Sequence, residues 1–289
     1  MSPLRLAAEP ALEAHAAAFA APRPRVLLVV PTYNERENLE GLAEGVFEAV
    51  EGVELLVVDD ASPDGTAELC DELAERFPRL RLLRRRGPRG LGRAYVAGFE
   101  YGLERGFDVV GTLDGDLSHS PGFLPAMLAA LHGGADVVVG SRYVRDGGTI
   151  NWGLRRTLLS WLANRFSAFL LRIPARDVTS GYRLYRADVL RRLGLAQVRS
   201  TGYSFLVELL YRAHRLGATI AERPIVFHDR RTGRSKLRSR EIYLGAFRLL
   251  GLRLVPPGLE RARGGEVTGA LEPPARRAAG RRRRAAGGG

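Results

Sequence analysis

Two apolar rhythms alternate along most of this chain. Residues 25–30 (RVLLVV) form a nearly continuous apolar run that stops at Pro31, and residues 53–58 (VELLVV) form another that stops at Asp59. Runs this short and this apolar suit strands buried on both faces of a parallel sheet. Between them, apolar residues at 39, 42, 46, 47 and 50 keep a helical spacing over 35–51. The rhythm continues with a helix over 64–77, a strand over 80–83, a helix over 91–105, a strand over 109–113, a helix over 121–132 and a strand over 136–139. Such alternation with short links predicts an α/β domain, Rossmann-like, with a mostly parallel central sheet and a ligand site beyond the carboxyl ends of its strands.

Beyond residue 140 the rhythm changes. A long helical stretch is expected over 154–171, a helix over 203–216, a strand over 219–226 and an amphipathic stretch over 239–254. There is no internal repeat and no linker before residue 255. One domain, 25–254, is therefore expected between an Ala/Pro-rich extension (1–24) and an Arg-rich tail (255–289). The tail carries eight arginines against three glutamates and almost no large apolar residue, a composition that predicts disorder.

Composition changes this picture in two ways. The 289 residues carry a formal charge of +12, and Lys236 is the one lysine among 44 basic residues. Positive charge held almost wholly by planar guanidinium groups points to phosphate-bearing partners. The single cysteine, Cys70, excludes a disulfide framework and a Cys-based zinc site, and fits a small apolar position on a helix. Glu9 and Glu13 near the start argue against a secretory leader. No run reaches about 18 apolar residues, so no transmembrane helix is expected.

Acidic and small polar residues sit at three strand ends: Pro31 to Glu35, Asp59 to Asp64, and Asp114-Gly115-Asp116. The last pair can present two carboxylates to Mg²⁺ or Mn²⁺, which would also hold diphosphate oxygens. Gly115 between them would let a ligand approach the backbone. Asp60 can hydrogen-bond a base or ribose, Tyr33 offers a ring, and Glu35 a carboxylate. Asp64 reads as a helix cap. A weaker pattern, Gly90-Leu91-Gly92-Arg93, opens a helix and could cradle diphosphate. Arg183 reads as a partner for Asp177. Glu208 reads either as a satisfied core carboxylate or as a relict base.

The succession PTYNE, VVDDASPDGT, GLGRAYVAGFEYG, LDGDLSH, GSRY, DVTSGYRLYR, GYSFLVELLYRA and RPIVFHDRRTGRSKL resembles family 2 glycosyltransferases of the GT-A fold, over about residues 24–250. Within them it is most similar to polyprenol-phosphate (dolichol-phosphate) mannosyltransferases. The resemblance implies inverting transfer of mannose from GDP-mannose to a polyprenyl phosphate, with a divalent cation. By position it implies donor contacts from Pro31, Tyr33, Glu35, Val58, Asp60, Asp114, Gly115 and Asp116. It places the metal at Asp114 and Asp116, with Ser118 where some members have Gln.

A phosphate monoester acceptor is already anionic and needs orientation rather than a general base. Arginines should therefore line its site, and Arg142, Arg156 and Arg230 match the family's phosphate-holding positions. Ser160, one turn from Arg156, and Lys236 are further candidates. Asp116, Arg142, Arg156 and Arg230 are the residues expected to carry catalysis.

A lipid acceptor raises the question of how the chain meets a membrane. Apolar residues 158, 159, 162, 166, 169 and 170, with Trp161, form one stripe on the 154–171 helix, facing either the core or a lipid interface. The 239–254 stretch and the basic tail add further affinity for an anionic surface. The expected place is peripheral, on the cytoplasmic face of the cell membrane, with a membrane-protein anchor as another route. A related enzyme using UDP-glucose is the alternative reading. A nucleic-acid-binding role fits poorly, because the strand ends are acidic and the densest arginines lie in the tail.

Overall fold

The computed structural model describes residues 24–198, 200, 202–229 and 248–254. Expectations for 1–23, 239–247 and 255–289 lie outside the described residues. The elements are β1 (Val26–Thr32), α1 (Arg36–Ala49), β2 (Glu54–Asp59), α2 (Thr66–Arg76), β3 (Leu80–Arg84), α3 (Leu91–Glu104), β4 (Val109–Thr112), α4 (Leu124–His132), β5 (Val137–Ser141), β6 (Gly148–Ile150), α5 (Leu154–Leu171), β7 (Arg183–Arg186), α6 (Ala187–Arg192), α7 (Tyr203–Arg215), β8 (Ile220–Pro224) and β9 (Val226–His228). Residues 248–254 are helical as well.

Seven strands form one sheet in the order β3-β2-β1-β4-β7-β5-β8, and β6 pairs with β9 in a small second sheet. All neighbours in the large sheet are parallel except β7, which runs antiparallel between β4 and β5. The chain lays down β1, β2 and β3 in one direction and then places β4 on the other side of β1. That reversal opens a crevice at the carboxyl ends of β1 and β4, where open α/β sheets bind ligands.

One apolar cluster fills each face of the sheet: Leu27, Val29, Leu56 and Val58 point to one, and Leu28, Val30, Leu55 and Val57 to the other. This is the double-sided burial that the continuous apolar runs require. Close approach of α3 depends on its glycines. A Cβ at Gly98 would lie 2.2 Å from Val29 Cγ1, and one at Gly102 would lie 2.8 Å from Val110 Cγ2. Cys70 is buried on α2, and burial pushes its thiol up to about 12, so it behaves as an apolar residue.

Several elements differ from the sequence expectation, the short strand β6 among them. β7 and α6 were not foreseen, because their four and six residues are too short for periodicity to register. The single strand expected over 219–226 is divided at Pro224-Ile225, where the chain leaves the large sheet for the small one.

On α5 the structure decides between the two orientations left open for the apolar stripe, which faces outward. Asn164, Ser167 and Leu171 face the protein, whereas Leu154, Leu158, Leu159, Trp161, Leu162, Phe166 and Phe169 are exposed, Phe169 at 86%. The Asn164 amide explains the choice of face. Its Oδ1 accepts from the Val178 and Thr179 amides (2.9 and 3.2 Å), and its Nδ2 donates to Ser160 O and Thr179 Oγ1 (2.9 and 3.0 Å). By contrast, in 248–254 Leu249 is buried and Leu252 packs against the core, so that helix has a docked face. No helix among the described residues is long and apolar enough to cross a membrane.

Candidate active site

The residues expected on the donor side converge at the carboxyl ends of β1, β2 and β4. Pro31 pairs in register with Val58, and Thr32 with Asp59. Val58 is fully buried in the core, so any contact it makes with a ligand is through its main chain. Asp59 organises the turn that follows it: its carboxylate accepts from Thr32 Oγ1, Ser62 N and Ser62 Oγ, and Ser62 Oγ in turn accepts from Asn34 N. Asp64 accepts from Arg36 N at the start of α1 and from Thr66 N and Oγ1 at the start of α2. Those bonds hold its carboxyl below the usual range although burial alone would raise it. Asp64 is not itself the N-cap, since Glu35 and Gly65 hold those positions, but its carboxylate takes up the first amide of both helices.

Asp60 is buried, and both its oxygens meet protein donors. Arg85 bonds Oδ1, and Gly90 N donates to Oδ2 at 2.9 Å. These bonds bear on two expectations. Asp60 reaches a donor only by sharing or exchanging these bonds, and the Gly90 amide at the start of α3 serves Asp60 rather than standing ready for diphosphate. The Arg89 guanidinium lies 4.5 Å from the Tyr33 ring centroid. Glu35 precedes α1, with its carboxylate accepting from Asn38 Nδ2 at 2.9 Å.

Asp114, Gly115 and Asp116 follow β4. The side chain of Asp114 is one-third exposed; Asp116 is buried, and its Oδ1 accepts from Ser118 N across a turn in which Leu117 has φ 59°. At Gly115 a Cβ would lie 3.3 Å from Val30 Cγ1 and 3.6 Å from Glu35 Cγ, so the glycine lets the loop lie close against β1.

Among the described residues no three His, Cys, Asp or Glu side chains are placed to hold a metal ion. Two carboxylates are nevertheless the donor set Mg²⁺ or Mn²⁺ takes when substrate phosphates complete its shell. Ser118 Oγ and both His119 ring nitrogens are buried without a hydrogen-bond partner among the described residues. Buried polar atoms in this state are costly and mark places where a ligand, ion or water belongs. His119 Nδ1 lies 3.3 Å from Asp114 Oδ2, off the hydrogen-bond direction.

The acceptor-side candidates gather round Trp152. Arg142 Cζ lies 5.6 Å from its ring centroid and Arg156 Cζ 4.2 Å. Ser160 Oγ accepts from Tyr143 OH at 2.8 Å, and the Tyr143 ring is 5.4 Å from Arg142 Cζ. Arg156 donates to both oxygens of Asp229 at 2.8 Å; the pair is partly exposed, so it opens at little cost. Arg230 and Lys236 lie outside the described residues.

The donor and acceptor sides are physically joined. His119 pairs with Phe227 in an antiparallel bridge, His228 N donates to Ser118 O at 3.0 Å, and the Phe227 ring packs edge-on to both His119 and Trp152. Trp152 and Phe227 escaped the sequence reading because single aromatics in loops carry no period.

Arg142 requires a correction of a pairing. Asp177 is its partner, not the partner of Arg183. Arg142 Nε and Nη2 donate to the two Asp177 oxygens at 2.7 and 2.8 Å, and Nη2 also reaches Thr179 Oγ1. Asp177 is fully buried and Arg142 nearly so. Burial pushes the Asp177 carboxyl up, but the guanidinium outweighs it and holds it below the usual range. Arg183, equally buried, donates instead to the carbonyls of Ser180, Val178 and Leu206. Its charge still adds to the field that favours the Asp177 carboxylate, but its N–H groups go to a loop whose carbonyls need donors. Glu208 proves to be a satisfied core carboxylate, bonded by Arg212 and by Ser200 N.

Comparison with known proteins agrees with this architecture. The model of the family described as glycosyl transferase family 2 matches residues 27–194. The polyprenol monophosphomannose synthase of Mycolicibacterium smegmatis is 45% identical over 246 residues, covering 84% of this chain and 92% of that protein. The undecaprenyl-phosphate mannosyltransferase of Micrococcus luteus is 45% identical over 213 residues, covering 74% and 87%. Among solved structures, glucosyl-3-phosphoglycerate synthase of Mycobacterium tuberculosis with Mn²⁺, UDP-glucose and phosphoglyceric acid superposes with a TM-score of 0.61 at 22% identity, covering 83% of each chain. The same enzyme with Mg²⁺ and UDP gives 0.58 at 22%, covering 81% of this chain and 82% of that one. At that identity the likeness concerns the fold alone, which is GT-A-like. The family match over more than half of the chain, and the two relatives at 45% identity, place this protein in glycosyl transferase family 2.

Proposed function

We propose that this glycosyltransferase transfers mannose, with inversion, from GDP-mannose to a polyprenyl monophosphate. The observation that carries the reading is the 45% identity to two mannosyltransferases of polyprenyl phosphates along most of their length. The geometry supports it from the chemical side. The residues beyond the Asp114 loop are arginines beside an aromatic surface, as an anionic acceptor requires, and the buried Glu208 is fully engaged by Arg212 and Ser200 rather than available as a base.

In this reading Tyr33, Glu35 and Asp60 contact the nucleotide, with Asp60 exchanging its Arg85 or Gly90 bond. Asp114 and Asp116, with Ser118 as a further candidate, would hold Mg²⁺ or Mn²⁺, whose charge would stabilise a departing diphosphate. Arg142, fixed by Asp177, and Arg156, released from Asp229, orient the acceptor phosphate, with Ser160, Arg230 and Lys236 as further contacts. Orientation and charge neutralisation are the catalytic contributions asked of the protein, since the nucleophile already carries its charge.

The exposed apolar face of α5 is assigned to the membrane. Leu154, Leu158, Thr157 and Trp161 with Tyr143 line a shallow apolar groove that begins at the Arg142 neighbourhood, so a lipid tail leaving the phosphate site meets apolar surface at once. Arg155 and Arg165, exposed on the same helix, suit anionic head groups. This exposed face supports reading the enzyme as a peripheral membrane protein, with the cytoplasmic face as the side proposed.

The test is a donor titration. Purified enzyme with polyprenyl phosphate and Mg²⁺ or Mn²⁺ should turn over GDP-mannose at low concentration and leave UDP-glucose largely unused. Preferential use of UDP-glucose, or transfer to a free sugar hydroxyl in place of the lipid phosphate, would overturn the assignment.

A further inference from the structure

Asp114 sits at the centre of the donor side, and its carboxylate is constrained by two elements that contribute no ligand-facing group. From beneath, Tyr95 of α3 reaches up through the core: its OH lies 3.3 Å from Asp114 Oδ1, and its ring is wholly buried. The ring is stacked between Phe99 (centroids 6.0 Å apart) and Phe205 (5.9 Å, interplanar angle 6°). Two aromatic neighbours leave the ring no freedom to swing, so the direction of the O–H is set by the core. A phenol keeps its proton at neutral pH, so facing a carboxylate oxygen it is the donor.

From the side, Gly181 closes the other exit. A Cβ at that position would lie 2.7 Å from Asp114 Oδ1 and 3.0 Å from Oδ2, so only a residue without one lets the carboxylate adopt this rotamer. The Gly181 backbone is itself anchored, because its carbonyl accepts from Thr112 Oγ1 at 2.6 Å, at the end of the strand that leads into Asp114. α3 thus bears on two of the candidate carboxylates, on Asp60 through the Gly90 amide and on Asp114 through Tyr95.

We propose that Tyr95 is a positioning residue, and Gly181 its steric counterpart, that together fix the Asp114 carboxylate in the orientation from which it binds a divalent cation with the donor diphosphate. Without the phenol, Asp114 would keep its charge but lose the bond that holds Oδ1 in this orientation. Partners of this kind, one step behind a ligand, change metal affinity by on the order of 10-fold to 100-fold when removed. The inference rests on the reading of Asp114 as a cation-binding residue, so the experiment tests the two separately.

Mn²⁺ binding to the full-length protein in the presence of GDP is followed by electron paramagnetic resonance for wild type, Tyr95→Phe, Gly181→Ala and Asp114→Asn. Tyr95→Phe keeps the aromatic stack and should melt within a few degrees of wild type. Its Mn²⁺ affinity should nevertheless fall about 10-fold. Gly181→Ala should fall at least as far, and Asp114→Asn should show no specific binding. If Asp114→Asn loses Mn²⁺ while Tyr95→Phe stays within about twofold of wild type, the positioning role is wrong and the cation site stands. If Asp114→Asn binds as wild type does, the cation site itself is wrong.

Discussion

Replacing Asp177 by Asn puts the most buried ion pair of the acceptor side to the test. The Asp177 carboxylate accepts from Arg142 N, Nε and Nη2 at 3.0, 2.7 and 2.8 Å and from the Thr179 and Ser180 amides at 3.3 and 3.1 Å. An Asn side chain retains one acceptor, turns an NH₂ toward the guanidinium, and leaves the Arg142 charge without a counter-charge where water hardly reaches. Removing one member of a buried pair costs about 3–5 kcal/mol, and the retained acceptor places this variant near the lower figure. For a domain of this size about 3 kcal/mol corresponds to a fall of roughly 6–12 °C in the midpoint of thermal unfolding.

The assay is urea unfolding of both proteins from pH 3 to 8. Because Arg142 holds the folded Asp177 carboxyl below its unfolded value, the pair's contribution is complete above the ordinary carboxylate value of about 4. It is lost as pH falls through the lower, folded value. The gap between wild type and variant should therefore be flat from pH 8 to 5 and shrink on further acidification. A gap below about 1 kcal/mol at pH 7, or one that widens in acid, would refute the reasoning. Adding Arg142→Met to the variant should recover part of the loss, since it removes the stranded charge.

Asp116→Ala should abolish transfer with an unchanged circular dichroism spectrum, and EDTA should do the same to wild type, reversibly on adding Mn²⁺ or Mg²⁺. Leu158→Glu with Phe169→Glu, both at exposed positions of α5, should leave unfolding almost unchanged but release the enzyme from pure lipid vesicles in a sedimentation assay. Unaltered binding to the vesicles would discard that face as the membrane contact. Gly98→Ala inserts a Cβ 2.2 Å from Val29 Cγ1, and prising α3 from β1 should cost about 1–3 kcal/mol in chemical unfolding.

Much of the fold was legible because parallel strands buried on both sides must be apolar throughout, and the helices between them must be apolar on one side. β1, β2, β4 and β5 announce themselves in this way, and their ends carry Pro31, Asp60 and Asp114 to one crevice. β7 did not announce itself, since four residues with Arg at each end resemble a loop. Its antiparallel insertion nevertheless brings Gly181 against Asp114 and sends Arg183 to carbonyls instead of Asp177. The same limit hid Trp152, Phe227 and Tyr95, whose roles depend on neighbours far away in the chain.

The order of strands and helices, the acidic strand ends and the surplus of arginine follow from the sequence by itself, because local periodicity and local charge are properties of adjacent residues. Which arginine meets which carboxylate was decided only by the tertiary structure. So was the outward turn of the apolar stripe of α5. A helix with one polar and one apolar face can dock by either, and the choice fell to Asn164, whose amide satisfies the backbone of a loop that also holds Asp177 and, through it, Arg142. Buried backbone amides in that loop require partners, and in satisfying them the helix leaves its leucines and aromatics facing outward.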